Sequence, residues 1–188
     1  ASLQIADPQV RYLGTIGGNV ANGDPANDMP GLMQTLDATY YLTGPEGSRE
    51  VKARDFYEAA YFTAREDEEI LTAISFAKPS GGFAYEKQKR KIGDYATAAA
   101  GVMITIEGGK CIAASVALTN LSDTPVYCAA AVDALVGSSL DDAAIKTAVK
   151  AAVDASDPVA DTRGPVDFKK HVAGVIVKKA ITSAVARA

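Results

Sequence analysis

The chain has 188 residues, of which 48% are hydrophobic and 22% are charged, and its formal net charge is −4. This composition is ordinary for a globular protein. No apolar run reaches the roughly 18 residues needed to cross a membrane, and no cluster of Lys and Arg comes with aromatic side chains that would stack on bases. These features argue against a membrane-spanning protein and against nucleic-acid binding.

In the first eighty residues, short segments rich in β-branched and aromatic residues predict strands, and clusters of Gly and Pro between them predict turns. In chain order we expect a short opening strand, a polar loop at Asn22–Pro30, a hairpin of Thr39–Thr43 with Arg49–Ala53, a short helix or loop at Ala53–Tyr57, and a strand at Glu69–Phe76. Proline and paired glycines stop regular structure, so Lys78–Gly82 is the best candidate for a domain boundary.

The second half of the sequence predicts a hairpin followed by three helices. Gly108 and Gly109 supply the positive φ angles that a tight turn between the strands Ala96–Ile106 and Cys111–Leu118 needs. We expect helices at Val126–Val136, from Asp141 onwards and from about Pro165 onwards. Strand pairs followed by helices predict an α+β fold, with the helices on one face of the sheet.

Few side chains of this sequence suit metal binding or catalysis. Cys111 and Cys128 lie in apolar surroundings without CxxC spacing, so we expect two reduced, buried thiols rather than a disulfide. His171 stands among lysines, which favours a structural or partner-facing histidine. We therefore predict no catalytic side chain, and no metal site built by this chain alone.

The strongest chemical signal is the glycine-rich segment that begins at Gly14. Gly17 and Gly18 lack Cβ atoms, so their backbone N–H groups can approach a charged group, and successive N–H groups in a bend form an anion site. Thr15 adds a hydroxyl donor and Asn19 an amide donor, which suits a phosphate or a diphosphate. The glycine spacing matches neither GxGxxG nor a P-loop. Taken alone, two glycines after a strand are more often a plain turn.

Longer motifs resemble one known family over essentially the whole chain. Residues 15–30, TIGGNVANGDPANDMP, resemble the second FAD signature of molybdenum-hydroxylase flavoproteins, the family of aerobic carbon monoxide dehydrogenase and xanthine dehydrogenase. Residues 68–71 resemble the flavin-lining strand of that family, residues 85–96 the start of its C-terminal domain, and residues 161–171 a segment near its C-terminus. In that last segment Pro165, Phe168 and Lys169 depart from the residues of the family.

The resemblance implies a fold and a domain organisation. Residues 1–80 would be the C-terminal part of a PCMH-type, vanillyl-alcohol-oxidase-like FAD-binding domain. Residues 81–188 would form a small α+β domain of antiparallel strands packed with three helices. The N-terminal FAD subdomain of the family, with a first Gly-Gly-Ser loop, has no counterpart here, and there is no initiator Met. We therefore expect a fragment, a processed chain or a split gene.

The resemblance also implies the cofactor contacts. The residues that would wrap the FAD diphosphate are Thr15, Ile16, Gly17, Gly18 and Asn19. Beyond the diphosphate, Asp28 would bind the ribityl or adenosine side, Ile5 and Leu71 would line the cofactor, Lys87 would stabilise reduced flavin from its edge, and Tyr85 would pack against the isoalloxazine. The bare sequence leaves other interpretations open: a turn-capping Asp28, core positions for Ile5, Leu71 and Tyr85, and a solvated Lys87.

Family membership would make the chain one subunit of a heterotrimeric enzyme. A large subunit with molybdopterin would oxidise the substrate, a small subunit with two [2Fe–2S] clusters would relay electrons, and this flavoprotein would pass them from FAD to quinone or NAD. We expect a dimer of heterotrimers in the cytoplasm, or one held by the complex at the inner face of the membrane. Two alternatives stay open: a stand-alone FAD-dependent oxidase or reductase of the PCMH fold, and an assembly domain that has lost FAD.

Overall fold

The first half of the chain combines short helices with a three-stranded sheet. The computed structural model describes residues 1–188. After a 3-10 turn at Ser2–Gln4, the elements are α1 (Pro8–Leu13), α2 (Ile16–Ala21), α3 (Asp28–Thr35), β1 (Thr39–Gly44), β2 (Gly47–Lys52), β3 (Tyr57–Ala59), β4 (Phe62–Thr63) and β5 (Ile70–Ser75).

The sheet of this half has the strand order β2-β1-β5, all antiparallel, while β3 and β4 form a separate small ribbon. Thr43 pairs with Ser48 at the turn between β1 and β2, which confirms the predicted hairpin. Side chains alternate between the two faces of a strand, so Tyr40 and Leu42 on β1 both enter the core. There they pack with Met29 and Met33 of α3.

The second half contains a four-stranded antiparallel sheet and three further helices. Its elements are β6 (Gly82–Gln88), β7 (Ala98–Glu107), β8 (Lys110–Thr119), β9 (Val126–Tyr127), α4 (Ala129–Leu135), α5 (Asp142–Asp154) and α6 (Val166–Val185). The strand order is β6-β7-β8-β9. Gly108 and Gly109 form the turn between β7 and β8 with φ angles of 56° and 76°, as predicted. A core of 21 buried residues lies between this sheet and α4–α6, so the predicted α+β fold is confirmed.

The opposite face of the four-stranded sheet is covered by α3, which connects the two halves. Val116 and Leu118 of β8 face the larger core, whereas Thr119 contacts Gly31 of α3. A Cβ atom on Gly31 would collide with the Thr119 hydroxyl. The sequence therefore permits α3 to lie directly on the sheet, and this contact fixes the position of Asp28 at the start of the helix.

Several predicted elements differ in the structure. The opening strand is wrong: Asp7 accepts a hydrogen bond from the Val10 amide and Pro8 occupies the first helical position, so α1 forms instead. The polar loop ends early because α3 begins at Asp28. The predicted helix from Val126 starts as β9, and α4 begins only at Ala129. No helix of the chain has both the length and the hydropathy required of a membrane span.

Candidate cofactor site

The glycine-rich segment forms the start of α2 rather than an irregular bend. Thr15 is the N-cap, and its Oγ1 accepts a hydrogen bond from the Gly18 amide at 3.0 Å. This cap overcomes the low helix propensity of two glycines. The backbone amides of Ile16 and Gly17 come first in the helix, so no carbonyl of the helix reaches them, and neither amide has another backbone acceptor. Two N–H groups therefore remain available to a ligand.

A cavity of about 410 Å³ lies at the start of α2, and Ile16 lines it whereas Gly17 does not. Five of the predicted site residues line it: Ile5, Thr15, Ile16, Gly18 and Asn19. The lining also contains the cation Arg11 and no carboxylate. Arg11 Nη1 donates to the carbonyl oxygens of Ile5 and Ala6 at 2.6 and 3.2 Å. Hydrogen-bond donors, a cation and the absence of acidic groups fit an anion such as a diphosphate.

Gly17 and Gly18 both lack a Cβ atom, and a Cβ atom would have a different consequence at each position. Neither has a positive φ angle, so the sequence needs glycine here for lack of a Cβ atom and not for a left-handed backbone. A Cβ atom on Gly17 would meet only Leu71 Cδ2, at 3.9 Å, and would otherwise project into open space. That space belongs to a second cavity, of about 290 Å³, which is lined by Ile16, Gly17 and Leu71 together with other residues of β5. A Cβ atom on Gly18 would instead press on Thr15 Oγ1 at 2.9 Å.

A third cavity, of about 220 Å³, is lined by Ile5, Asn19, Asp28 and Lys87. It shares Ile5 and Asn19 with the first cavity, and the second cavity shares Ile16 with the first. The three cavities therefore adjoin along α2, and we call them together the groove. Nine of the ten predicted site residues line the groove, and Tyr85 is the exception.

Asn19 links the two ends of this groove. Its Oδ1 accepts from the Met29 amide at 3.2 Å, and its backbone carbonyl accepts from Asn27 Nδ2 at 3.0 Å. These bonds fix the Asn19 side chain between α2 and α3. Because Oδ1 is engaged within the protein, the Nδ2 group is the part of the amide that can face a ligand.

Asp28 and Lys87 form a buried ion pair in the wall of the groove. Lys87 Nζ lies 2.7 Å from Asp28 Oδ2, and their side chains are 1% and 4% exposed. The interpretation of Lys87 as a solvated lysine is therefore wrong. Asp28 lies in the first turn of α3 but bonds side chains of β6, so it is more than a turn cap.

Tyr85 contacts Asp28 rather than the groove. Its hydroxyl donates to Asp28 Oδ1 at 2.5 Å, and its ring packs with Ala96, Ala99 and Leu32. Burial raises the pKa of the Tyr85 hydroxyl well above its usual range, and the Asp28 carboxylate raises it further. The hydroxyl is consequently neutral and acts as a donor. Packing of the Tyr85 ring against a ligand in this groove is not supported.

One side of the third cavity, formed by Asp94 and Tyr95, was not among the predicted site residues. Arg163 Nη2 lies 3.4 Å from Asp94 Oδ1, and the Arg163 guanidinium lies 5.6 Å from the Tyr95 ring centroid. The pKa of Asp94 is lowered, first by its hydrogen bond from Arg90 and also by the charge of Arg163. Asp94 and Tyr95 belong to residues 85–96 and Arg163 to residues 161–171. The sequence indicated only that these two segments resemble the same family, and this does not predict a contact between them.

The side chains that commonly bind metal ions do not cluster in this chain. No group of three or more His, Cys, Asp or Glu side chains is placed to hold a metal ion. Cys111 and Cys128 are free and buried, and burial raises the pKa of the Cys128 thiol to about 12. His171 is exposed on α6. The groove along α2 is therefore the best candidate for a functional site.

Comparisons with known proteins show which family the chain resembles in sequence. Residues 1–79 match the FAD binding domain in molybdopterin dehydrogenase, and residues 83–184 match the CO dehydrogenase flavoprotein C-terminal domain. Over 189 residues the chain is 57% identical to the carbon monoxide dehydrogenase medium chain of Afipia carboxidovorans, covering 100% of this chain and 66% of that protein. It is 33% identical to the glyceraldehyde dehydrogenase medium chain of Sulfolobus acidocaldarius, covering 96% of this chain and 64% of that protein.

Solved structures agree with the sequence matches. A chain of reconstituted CO dehydrogenase from Oligotropha carboxidovorans superposes with a TM-score of 0.97 at 56% identity, covering 99% of this chain and 66% of that chain. A chain of quinoline 2-oxidoreductase from Pseudomonas putida 86 superposes with a TM-score of 0.91 at 33% identity, covering 97% of this chain and 64% of that chain. This chain thus spans just under two thirds of the length of these relatives. It belongs to the family of molybdopterin-dehydrogenase flavoproteins that includes the medium chains of carbon monoxide dehydrogenases.

Proposed function

We propose that this chain is part of the FAD-carrying medium subunit of a molybdenum hydroxylase, most similar to that of aerobic carbon monoxide dehydrogenase. In this role it accepts electrons from the [2Fe–2S] clusters of a small partner subunit and passes them to quinone or NAD. The observation that carries the proposal is that nine residues expected to contact FAD, from segments far apart in sequence, line one groove.

The groove offers a suitable contact for each part of the cofactor. The free amides of Ile16 and Gly17, the Thr15 hydroxyl and the Asn19 side chain would hold the diphosphate, since anions bind at such helix starts. Ile5 and Leu71 provide apolar walls, and the buried Asp28–Lys87 pair forms the polar wall of the third cavity. When bound, FAD supplies the redox chemistry itself; the chain supplies position and electrostatics.

The assembly and the domain division follow from the same family context. We propose that the large partner subunit carries molybdopterin, that the complex is a dimer of heterotrimers, and that it is located in the cytoplasm or at the inner face of the membrane. We place the division of the FAD-binding part from the C-terminal part between residues 80 and 81. The family matches support this position, since they end at residue 79 and resume at residue 83.

Replacing Gly17 by alanine tests the site without disturbing the fold. A methyl group at Gly17 has room within the protein, and alanine stabilises a helix relative to glycine by up to about 1 kcal/mol. In the native complex, Gly17→Ala should therefore keep or raise the melting temperature. The affinity for FAD should fall about tenfold or more, because the methyl group occupies part of the second cavity beside the free Gly17 amide and so weakens the charge-assisted hydrogen bond that this amide would donate.

Gly174→Ala is the matched control. Gly174 also lies in a helix, and its added Cβ atom would make only ordinary contacts, 3.5 Å from Val153 and 3.7 Å from Val149. We expect unchanged FAD content for this variant, measured as flavin absorbance per protein after dialysis. A Gly17→Ala complex that binds FAD as tightly as Gly174→Ala would show that the start of α2 is structural only. The proposed site would then be wrong.

A further inference from the structure

A line of buried polar side chains runs through the protein behind the groove. It runs from Tyr85 on β6 to Asp28 on α3 and ends at Lys87 on β6, and the unpaired hydroxyl of Thr119 on β8 lies beside its Tyr85 end. Thr119, Tyr85 and Asp28 are 1%, 8% and 4% exposed, and Lys87 is as deeply buried. Polar groups at this depth cost free energy unless they are paired, so each contact in the line matters.

The Asp28 carboxylate is the centre of this line, because each of its oxygens has one side-chain donor. Oδ1 accepts from the Tyr85 hydroxyl at 2.5 Å and Oδ2 accepts from Lys87 Nζ at 2.7 Å. Lys87 Nζ also lies 3.4 Å from the Gln4 carbonyl oxygen. With both oxygens engaged, the carboxylate plane cannot rotate without breaking a hydrogen bond.

Tyr85 is held rigidly on the side away from the groove. Its ring packs against Leu32, Ala96 and Ala99. The Thr119 hydroxyl lies beside the Tyr85 hydroxyl but makes no hydrogen bond of normal geometry. Asp28 and Lys87 line the groove whereas Tyr85 does not. Asp28 is thus the residue of the third cavity to which the Tyr85 hydroxyl bonds, and it provides the path by which that hydroxyl acts on a ligand there.

We propose that Tyr85 is a positioning residue for the cofactor: its hydroxyl fixes the Asp28 carboxylate and, through it, the Lys87 ammonium group in the wall of the groove. This inference rests on the proposed FAD site. Asp28 and Lys87 carry opposite charges, so their effect on the cofactor depends on their orientation. Without the Tyr85 hydroxyl, Oδ1 has no donor, more of the carboxylate charge acts on the groove, and Lys87 loses its fixed anchor. Both changes disfavour reduced FAD, which is more negative than oxidised FAD.

Tyr85→Phe in the native complex tests the proposal by two readouts. We expect FAD to bind about tenfold more weakly, because the Asp28 and Lys87 side chains are no longer fixed before binding and ordering them then opposes it. We also expect the ratio of affinities for reduced and oxidised FAD to fall about tenfold, which lowers the midpoint potential by about 30 mV for a two-electron couple. Tyr40→Phe is the control. It removes a buried hydroxyl that bonds the Tyr57 hydroxyl at 3.1 Å, and Tyr40 lines none of the three cavities, so affinity and potential should stay unchanged.

A double-mutant cycle with Asp28→Asn shows whether Tyr85 acts through Asp28. Residues that act as one unit give non-additive effects, so Tyr85→Phe should weaken FAD binding less than about twofold in the Asp28→Asn background. The same tenfold loss in both backgrounds would overturn the proposal. Should Tyr85→Phe fold too poorly for titration, Thr119→Val takes its place. We then expect a loss of about threefold that disappears with Asp28→Asn, and a loss that persists contradicts the proposal.

The two hypotheses fail in different ways. If the wild-type complex holds no FAD, the proposed function is wrong. If the wild-type complex binds FAD but Tyr85→Phe behaves like Tyr40→Phe in affinity and in potential, the cofactor site stands and the positioning role of Tyr85 is wrong.

Discussion

At the scale of single residues, burial separates ion pairs that matter for stability from those that do not. The Asp28–Lys87 pair is almost fully enclosed, whereas the side chains of Lys150 and Asp154 on α5 are 76% and 60% exposed. Removing one partner of a buried pair leaves the other as an uncompensated charge. An exposed pair is solvated and screened, so its loss has little effect.

We therefore predict opposite outcomes for two equivalent lysine replacements. Lys87→Met should lower the free energy of unfolding by about 3–5 kcal/mol, because Asp28 stays buried without its counter-ion. Lys150→Met should lower it by less than about 1 kcal/mol. Urea unfolding of both variants at pH 7 measures the difference. Equal losses of unfolding free energy in the two variants would mean that water or a rearranged side chain compensates the charge of Asp28.

The residues of the site differ in how far the sequence could predict them. The donors and glycines of Thr15–Asn19 made an anion site conceivable, but taken alone they favoured a plain turn, and the family resemblance was needed to predict a diphosphate site. Asp28, Leu71 and Lys87 could be chosen only through the family resemblance, since Asp28 and Lys87 are 59 positions apart and no local pattern pairs them. Tyr85 was selected for packing against the flavin, yet it bonds Asp28. The alternative interpretation of Tyr85 as a core residue describes its ring better.

At the scale of elements, local patterns predicted strands better than the short helices of the first half. The aromatic and β-branched residues of β1 and the two glycines of the turn at Gly108 are signals contained within a few consecutive residues, so both features could be predicted from local sequence. The short helices α2 and α3 contain Gly17, Gly18, Pro30 and Gly31, which are residues that indicate loops. They form because Thr15 caps α2, because Pro30 occupies the first turn of α3, where proline is tolerated, and because α3 is buried between two sheets.

One ion pair connects elements of the first sheet and should make its stability depend on acid pH. Arg49 of β2 donates to both carboxylate oxygens of Glu69, at 2.6 and 2.7 Å, and Glu69 lies just before β5. These bonds lower the pKa of Glu69 to about 2, with a further contribution from the Glu66 amide. A carboxylate whose pKa is lower in the folded than in the unfolded chain stabilises the fold at pH values above its unfolded pKa of about 4.3. This stabilisation is lost as the pH falls towards 2.

We therefore predict that wild type and Glu69→Gln differ in unfolding free energy at pH 7 and converge between about pH 4.5 and pH 2. Chemical denaturation at several pH values measures this convergence. Asp154→Asn is the control: the Lys150–Asp154 pair is 76% and 60% exposed, so this replacement should change the unfolding free energy little. A difference between wild type and Glu69→Gln that stays constant down to pH 2 would contradict an ionic contribution from Arg49.

At the scale of the whole molecule, the two halves share polar contacts as well as packing. Gln34 Nε2 donates to the Pro125 carbonyl at 3.3 Å, the Asn120 amide donates to the Pro25 carbonyl at 3.0 Å, and the Arg54 guanidinium lies 3.6 Å from the Tyr127 ring centroid. The Asp28–Lys87 pair and the contact of α3 with β8 add to these. Each contact joins a residue before position 80 to one after it, so the groove depends on both halves being folded.

We predict that the chain unfolds in a single cooperative transition. Contacts buried between the halves are lost when either half opens, so neither half keeps its full stability alone. Hydrogen exchange of the amides in β1 and in β8 under increasing urea reports on the first and second half separately, and both sets should share one opening free energy. Lys87→Met should lower both equally, since the ion pair it breaks spans the halves, while Lys150→Met should change neither by more than about 1 kcal/mol. Two separate transitions, with β1 opening well before β8, would mean that the halves are independent and that the groove forms by docking rather than by folding.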